Sequence, residues 1–215
     1  TPVAVGYCLR YLPSSLEVKA LLDKGAIGEL YNAHIEIGQY LPDWRPSKDY
    51  RRSVSANADL GGGALLELSH ELDYAQWLLG DLALQHAYLR SSDELGLEVE
   101  DLVDVVTTTQ GGTLVNIHLD FLQRQAYRCC RFVGSKGTVE WDLIRNEVKQ
   151  TNNTGESIIY SDPAWDKNKM YLNMLQDFIN MIKDNQHSCT NIERAGKTVE
   201  LIETIKHHAK TQTKG

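Results

Sequence analysis

Glu67 and His70 are the residues whose types and spacing point most directly to chemistry. At about 100° per residue, a helix places them on one face, which Tyr74 and Trp77 continue with Asp73 at its edge. An imidazole titrates near neutral pH, which suits transfer of a hydroxyl proton, and a nearby carboxylate can orient it. An ordinary solvent-facing side would carry Lys, Glu and Gln, so we expect something other than water to cover this face. The opposite, apolar face predicts the core side, with Leu65, Leu68, Leu72, Ala75 and Leu79.

The same pair admits two other interpretations. A carboxylate and an imidazole at positions i and i+3 bind metal in di-iron bundles, but those bundles repeat the pair and add further carboxylates. The pair of Glu67 and His70 occurs once here, so we expect no metal. Alternatively, His70 completes a hydrogen-bond network beneath the polar loop 41–60.

The loop 41–60 combines aromatic rings with guanidinium groups. Trp44, Arg45 and Tyr50 lie in it, and Arg124 follows a later predicted strand. Such residues suit a sugar ring, by stacking, and a carboxylate or phosphate, by bidentate hydrogen bonds from arginine. The loop therefore favours a sugar acid or nucleotide-sugar as the bound molecule. An aromatic lid packed on its own domain explains the same residues.

The composition excludes several functional classes. The 215 residues carry 22 Lys and Arg against 29 Asp and Glu, a formal charge of −7, which argues against nucleic-acid and anionic-membrane binding. No apolar stretch approaches the roughly 18 residues of a membrane span, and no secretory signal is present, so we expect a cytoplasmic protein. Phosphate-binding G-x-G-x-x-G and G-x-x-x-x-G-K-[ST] patterns and the G-x-S-x-G elbow are absent. We expect reduced thiols at Cys8, Cys129, Cys130 and Cys189, with the adjacent pair on opposite faces of a strand.

An α+β domain is predicted to position these residues. Periodicity and turn signals predict a strand over Val3–Tyr7, a helix capped by Ser14 or Ser15, a strand over Leu30–Tyr40 and a long helix from the glycine triplet 61–63 to Leu79. Strands follow at 84–90, 101–109, 113–120, 126–133, 137–142, 145–149 and 156–160, before helices at 166–184 and 192–209. Short hairpin links favour a large, mostly antiparallel open sheet with helices on one face.

Several short segments, taken in their order along the chain, match the pattern of a known protein family. They are Val5-Gly-Tyr-Cys-Leu-Arg10-Tyr-Leu-Pro13, Gly25-Ala-Ile-Gly28-Glu29, Trp44-Arg-Pro46, the block from Gly61 through His70 to Asp73, and Gly134-Ser-Lys-Gly137-Thr-Val139. Together, over about residues 3–208, they resemble the C-terminal half of the glucose–fructose oxidoreductase/inositol dehydrogenase/MocA family of NAD(P)-dependent enzymes.

The resemblance implies a dihydrodipicolinate-reductase-like C-terminal domain of a two-domain Rossmann enzyme. Residues 1–13 would be the last strand of a missing Rossmann domain that binds NAD or NADP, and residues 14–215 the substrate-binding and oligomerisation domain. The full-length enzyme would act on a secondary alcohol of a sugar, polyol or nucleotide-sugar as a homodimer or homotetramer, whereas this chain alone is expected to be inactive. The alternative is a non-catalytic sheet domain that binds or dimerises.

The resemblance also assigns roles to residues. His70 matches a family histidine that acts with an acid one turn earlier and a lysine of the cofactor domain. The family acid lies four residues before the histidine, where this chain has Leu66, and Glu67 is the candidate replacement. His70 and Glu67 are therefore the catalytic candidates, and the candidate substrate contacts are Arg10, Trp44, Arg45, Tyr50, Asp73 and Arg124.

Overall fold

The fold is built on one sheet of eight strands, seen in a computed structural model that describes residues 2–184 and 190–212. The strand order is β2-β3-β4-β1-β5-β6-β7-β8. Only the pairing of β1 with β4 is parallel, and the other six neighbouring pairs are antiparallel, as the short links predict. The strands are β1 Leu30–Gly38, β2 Leu82–Arg90, β3 Leu102–Thr109, β4 Leu114–Asp120, β5 Tyr127–Gly134, β6 Gly137–Asp142, β7 Glu147–Asn152 and β8 Gly155–Ser161.

Helices cover one face of this sheet. They are α1 Pro13–Asp23, α2 Ala64–Glu67, α3 His70–Leu79, α4 Asn168–Asp184 and α5 Ile192–Gln212. Helix α1 packs against β6–β8, α2 against β3 and β4, α3 against β1, and α5 against β2. The centre of the covered face is apolar and buried, with Ile35, Ile117, Phe132 and Trp141. The predicted fold class is thereby confirmed.

The opposite face of the sheet, called here the open face, carries no helix among the described residues. Side chains alternate along each strand, so every second residue points to this side. In β1 and β5 the buried Ile35 and Phe132 alternate with the exposed His34 and Arg131. The open face is polar and charged, with His34, Glu36, Asp104, His118, Arg131, Glu140 and Lys149.

The cysteines follow the same alternation. Cys130 is buried on the covered face and Cys129 is half-buried on the open face, which confirms the prediction that these neighbours point apart. Cys8, Cys129 and Cys130 are free thiols, and Cys189 lies outside the described residues. No helix within residues 2–184 and 190–212 is both long and apolar enough to traverse a bilayer.

The start of the chain differs from the prediction. Val3–Tyr7 is not a strand of the sheet: Ala4 makes an isolated antiparallel bridge with Asn191, and the Val5 amide donates to the Thr190 carbonyl at 2.9 Å. A strand forms only where a neighbouring strand supplies the ladder of backbone hydrogen bonds, and the described residues offer this segment a single bridge.

Helix α1 also begins differently, because Pro13 occupies its first turn and neither predicted serine is the cap. The Ser15 hydroxyl donates to the Leu12 carbonyl at 2.7 Å. Ser14 accepts a hydrogen bond from the Trp141 indole at 2.8 Å, which ties α1 to the sheet.

The predicted long helix from the glycine triplet to Leu79 is two helices. Backbone bonds tighten to the i→i−3 type at the break, from the Ser69 amide to the Leu66 carbonyl and from the Glu71 amide to the Leu68 carbonyl, both 3.3 Å. The regular 100° step is therefore interrupted between Glu67 and His70, and the face predicted from that step does not exist as a continuous surface.

Candidate functional site

The loop 41–60 folds into four short 3-10 turns that lie over α2 and enclose a cleft of about 500 Å³. Four predicted site residues line this cleft: Trp44, Arg45, Tyr50 and Glu67. The sequence leaves two interpretations of this loop, a binding surface or a lid packed on its own domain; the structure shows it packed on its own domain, where it also lines the cleft. The remaining lining residues are Leu41, Lys48, Asp49, Arg52, Ser53, Val54 and Ser55.

The glycine triplet lets the loop close onto α2. A Cβ on Gly62 would lie 2.5 Å from the Val54 carbonyl oxygen and 2.7 Å from that of Ser55, so only glycine fits there without moving the backbone. Gly63 has φ +106°, in the left-handed region that favours glycine, and a Cβ there would meet Glu100 at 2.3 Å. The close approach brings the Ser55 hydroxyl within 2.9 Å of a Glu67 carboxylate oxygen, to which it donates.

The aromatic rings of the cleft are fixed by their own domain. Trp44 packs edge-on against Phe121, with ring centroids 5.4 Å apart, and the Tyr50 hydroxyl donates to the Leu95 carbonyl at 3.1 Å. The Trp44 indole Nε1 is buried and has no hydrogen-bond acceptor among the described residues. Leaving such a donor unpaired costs about 1–3 kcal/mol, which an oxygen atom of a bound molecule would relieve on reaching it.

His70 begins α3 and lies outside the cleft lining, half-buried beside Tyr7. The two rings meet edge to face with centroids 5.4 Å apart. Burial, and then the positive charge of Arg128, lower the pKa of His70 from 6.5 to about 4. The imidazole is therefore neutral near pH 7, with a pKa below the near-neutral value expected from its residue type. Its Nδ1 atom is buried without a hydrogen-bond partner in the described structure.

The ion pair of Arg128 and Glu71 lies next to His70 and is absent from the predicted site. Arg128 donates to both Glu71 carboxylate oxygens, at 2.7 and 3.1 Å, and the Tyr74 hydroxyl donates to the same carboxylate at 3.2 Å. One signal could have pointed to Arg128, though not to its partner: Arg128 shares the alternation of the buried Cys130, which places a charge on the covered face.

Tyr74 was predicted to line the chemical face with His70, and that prediction is wrong. Its side chain is fully buried in the core, where the ring packs on Trp141 at 5.2 Å and the hydroxyl accepts from the Cys130 thiol at 3.3 Å. Trp77 is half-buried beneath Arg10, whose guanidinium carbon lies 5.8 Å from the ring centroid. Both residues lie in α3 with His70, so it is the packing of this side of α3 against the core and Arg10, and not the break before it, that takes them away from a solvent-facing site.

Arg10 and Asp73, both predicted to contact substrate, contact each other. The guanidinium donates to the two carboxylate oxygens at 2.9 and 2.5 Å, and the side chains are only 3% and 2% exposed. This buried pair fixes the turn before α1 against α3, the helix that begins with His70.

Arg124 lies outside the cleft lining. Its side chain is 68% exposed, forms an ion pair with Glu94 at 3.1 Å and stacks 3.8 Å from the centre of the Tyr40 ring. The loop around Leu95 also receives the Tyr50 hydrogen bond, so Arg124 reaches a segment adjoining the cleft.

The arrangement offers a hydroxyl-binding carboxylate in the cleft and a neutral imidazole close to the start of the chain. No hydrogen bond joins Glu67 to His70 in the described part of the chain, where Glu67 instead accepts from Ser55. Within residues 2–184 and 190–212 no group of three or more His, Cys, Asp or Glu side chains is placed to hold a metal ion.

Comparison with known proteins identifies relatives of this fold. The family model of the GFO/IDH/MocA C-terminal domain matches residues 15–140, more than half of the chain. Inositol 2-dehydrogenase from Rubrobacter xylanophilus is 30% identical over 149 residues, which cover 64% of this chain and 37% of the relative. The chain thus spans little more than a third of that relative's length.

Solved structures share the architecture at lower identity. Levoglucosan dehydrogenase in complex with NADH superposes with a TM-score of 0.84 at 18% identity, over 96% of this chain and 63% of that one. Aldose-aldose oxidoreductase from Caulobacter crescentus, complexed with glycerol, gives 0.83 at 19% identity, over 98% and 62%. At sequence identities of 18% and 19%, this structural similarity establishes a shared fold alone.

Proposed function

Because the chain belongs to the GFO/IDH/MocA family of oxidoreductases, we propose that it is the substrate-binding part of an NAD(P)-dependent enzyme that interconverts a secondary alcohol and a carbonyl on a sugar, polyol or nucleotide-sugar. This chemistry is supported by the similar proteins, which are an inositol 2-dehydrogenase, a levoglucosan dehydrogenase and an aldose-aldose oxidoreductase. The complex of levoglucosan dehydrogenase with NADH supports a nicotinamide cofactor.

The observation that carries the proposal is the neutral imidazole of His70 with its unpaired ring nitrogen. A neutral ring can accept the proton of an alcohol, whereas a protonated one cannot, although a pKa of about 4 makes this ring a weak base near pH 7 in the chain alone. Nδ1 is buried without a partner, so a polar group brought to it would satisfy an atom that the chain leaves unsatisfied. This fits a site completed by a bound molecule.

In the proposed mechanism, His70 accepts the hydroxyl proton as the alcohol becomes a carbonyl, and returns it in the reverse direction. The nicotinamide, when bound, supplies the site for the hydride that leaves or joins the carbinol carbon. Glu67 binds a substrate hydroxyl from the cleft through the carboxylate that Ser55 orients. Trp44 and Tyr50 offer rigid ring faces for the carbon skeleton, with Arg45 at the rim. We assign the buried pair of Arg10 and Asp73 to positioning α3, and Arg124 to the margin of the site.

The division of the full-length enzyme is also a proposal. The chain has no dinucleotide-binding glycine motif, so a preceding Rossmann domain would hold the NAD or NADP. Within residues 1–13, the last strand of that domain would be limited to the part that precedes the 3-10 turn at Cys8–Tyr11, since Pro13 already belongs to α1. The isolated bridge at Ala4 supports this assignment, because Val3–Tyr7 has no sheet partner beyond this bridge in the described chain.

The mechanism is tested in the full-length protein with NAD+ and NADP+ against a panel of sugars and polyols. His70→Ala should lower kcat by about 10²–10⁴-fold, the usual contribution of a positioned acid–base group. His207→Ala is the matched control, since this histidine of α5 is exposed and lies outside the cleft lining. Turnover that is unchanged by His70→Ala would remove this residue from the mechanism.

We also propose that the full-length protein forms a homodimer or homotetramer through the open face. Charges of both signs alternate across neighbouring strands there, in the row Arg131, Glu140 and Lys149, and a concavity of about 670 Å³ includes this row. A broad sheet face without covering helices, carrying charges of both signs, suits a second copy. Glu140→Lys would bring like charges together and reduce the particle to a single chain in sedimentation, whereas an unchanged mass would contradict this interface.

The same open face supports the second candidate, a binding module without chemistry. It predicts self-association together with no nicotinamide-dependent turnover of any sugar or polyol by the full-length protein. Both measurements come from the experiments described above, so the two functions are separable.

A further inference from the structure

The rim of the cleft above Glu67 is positively charged in a chain whose formal charge is −7. Arg45, Lys48 and Arg52 all line it and are exposed. None of the three forms an ion pair among the described residues. This concentration of cations is local, since the chain as a whole has seven more acidic than basic residues.

The two carboxylates of the lining each accept a hydrogen bond from a neutral donor and keep their negative charges, so three cations face two carboxylates in this cleft. One Asp49 oxygen accepts the Arg51 backbone amide at 3.1 Å and so caps a 3-10 turn. One Glu67 oxygen accepts the Ser55 hydroxyl at 2.9 Å. The lining therefore presents unpaired cations at the rim and a hydroxyl-binding carboxylate at Glu67.

The aromatic wall between them is rigid. The Tyr50 hydroxyl is committed to the Leu95 carbonyl and Trp44 is packed on Phe121, so both residues offer ring faces rather than mobile polar groups. A ligand that matches the whole cleft has hydroxyls, an apolar ring face and a negative group. Charge-assisted hydrogen bonds from guanidinium to carboxylate or phosphate are roughly twice as strong as neutral ones.

We propose that the cleft selects a sugar or polyol that carries an anionic substituent, a carboxylate or a phosphate, bound by Arg45 and Arg52. This inference rests on the proposed function, because it assigns the substrate class of the same site. Glu67 would bind hydroxyls of the ligand, and the two arginines would bind its negative group.

The test measures binding to the full-length protein by titration calorimetry, with D-glucuronate, D-glucose 6-phosphate and D-glucose as probes. At least one anionic probe should bind about tenfold or more tightly than glucose, which corresponds to about 1.4 kcal/mol. The carboxylate and phosphate arms identify which anion the rim takes. Raising the salt concentration from 0.05 to 0.5 M should weaken anion binding and leave glucose binding unchanged.

Variants decide whether the rim is responsible. Arg45→Gln with Arg52→Gln should bring the anionic probe to within about threefold of glucose. Arg194→Gln is the matched control, since this exposed arginine lines a different cleft beside α5 and should preserve the preference. Circular dichroism checks the fold of each variant.

Two results would overturn the inference: equal affinity for all three probes, including no binding of any, or a preference that survives in the double variant. A third contrary result, turnover of anionic sugars that does not depend on Arg45 and Arg52, would overturn the inference while leaving the proposed function intact. Absence of nicotinamide-dependent turnover, with selective anion binding retained, would instead contradict the proposed function.

Discussion

Replacing Arg128 with methionine tests how the fold holds a buried carboxylate beside a neutral His70. Glu71 is fully buried, and Arg128, 19% exposed, donates to both of its oxygens. Removing one partner of such a pair costs about 3–5 kcal/mol, because the remaining charge stays buried and unpaired. At about 2–4 °C per kcal/mol for a chain of this size, we expect the Tm to fall by roughly 6–20 °C.

A matched substitution on the same strand separates this effect from a general loss of arginine. Arg131 is 59% exposed on the open face and forms an ion pair with Glu140 at 3.5 Å. Arg131→Met should cost no more than about 1 kcal/mol. Glu71→Met combined with Arg128→Met should recover most of the lost stability, since no charge is then left unpaired. Thermal unfolding at several protein concentrations separates folding from self-association.

The same variant changes the titration of His70. Burial is the larger cause of its pKa of about 4 and Arg128 the smaller, so Arg128→Met should raise the pKa but leave it below 6.5. A lowered pKa means that the native state loses stability as the pH falls from about 6.5 to 4, and the variant should lose less over that range. NMR titration of the ring measures the value. An unchanged pKa, or a stability loss equal to that of Arg131→Met, would refute the reasoning.

Three further predictions concern stability. Asp73→Asn should lower the free energy of unfolding by about 3–5 kcal/mol in denaturant titrations, because it leaves a buried arginine without its carboxylate. The pKa of His118 is raised to about 9, chiefly by Asp120. The stability that this histidine contributes to the fold is therefore complete below about pH 6.5 and is lost as the pH rises through 9. His118→Gln should flatten this dependence of stability on pH, which is about 3 kcal/mol before solvent screening makes it smaller. Gly62→Ala should cost about 1–3 kcal/mol by forcing the neighbouring loop backbone apart, whereas Gly196→Ala, with open space in α5, should stabilise by about 0.5–1 kcal/mol.

Each of these three predictions would be contradicted by a specific result. A change in substrate KM without a change in stability for Asp73→Asn would return this residue to the substrate contacts. A stability profile of His118→Gln that still falls between pH 6.5 and 9 would assign the dependence to another group. Equal effects of the two glycine substitutions would show that the loop does not press on Gly62.

Much of the fold was predictable because it follows from local patterns. Alternating burial and turn residues located seven strands after the long helix within a few residues, and their short links implied antiparallel pairing. The apolar face of Leu65, Leu68 and Leu72 also packs in the core as its spacing predicts. The cleft residues Trp44, Arg45 and Tyr50 were found from residue type alone, since aromatic and guanidinium groups are uncommon together in a surface loop.

The sequence by itself determined the sheet, its covered face and the residue types available for chemistry, because these depend on periods of two and about 3.6 residues. Only the tertiary structure decided which of those residues meet. Arg10 and Asp73 are 63 positions apart, and Glu71 and Arg128 are 57 apart, so no local pattern reveals that they pair. The break before His70 likewise depends on packing, and it interrupts the helical step between Glu67 and His70. Contacts between distant segments are set by burial of the entire chain, which is why a residue's type was readable in advance and its partner was not.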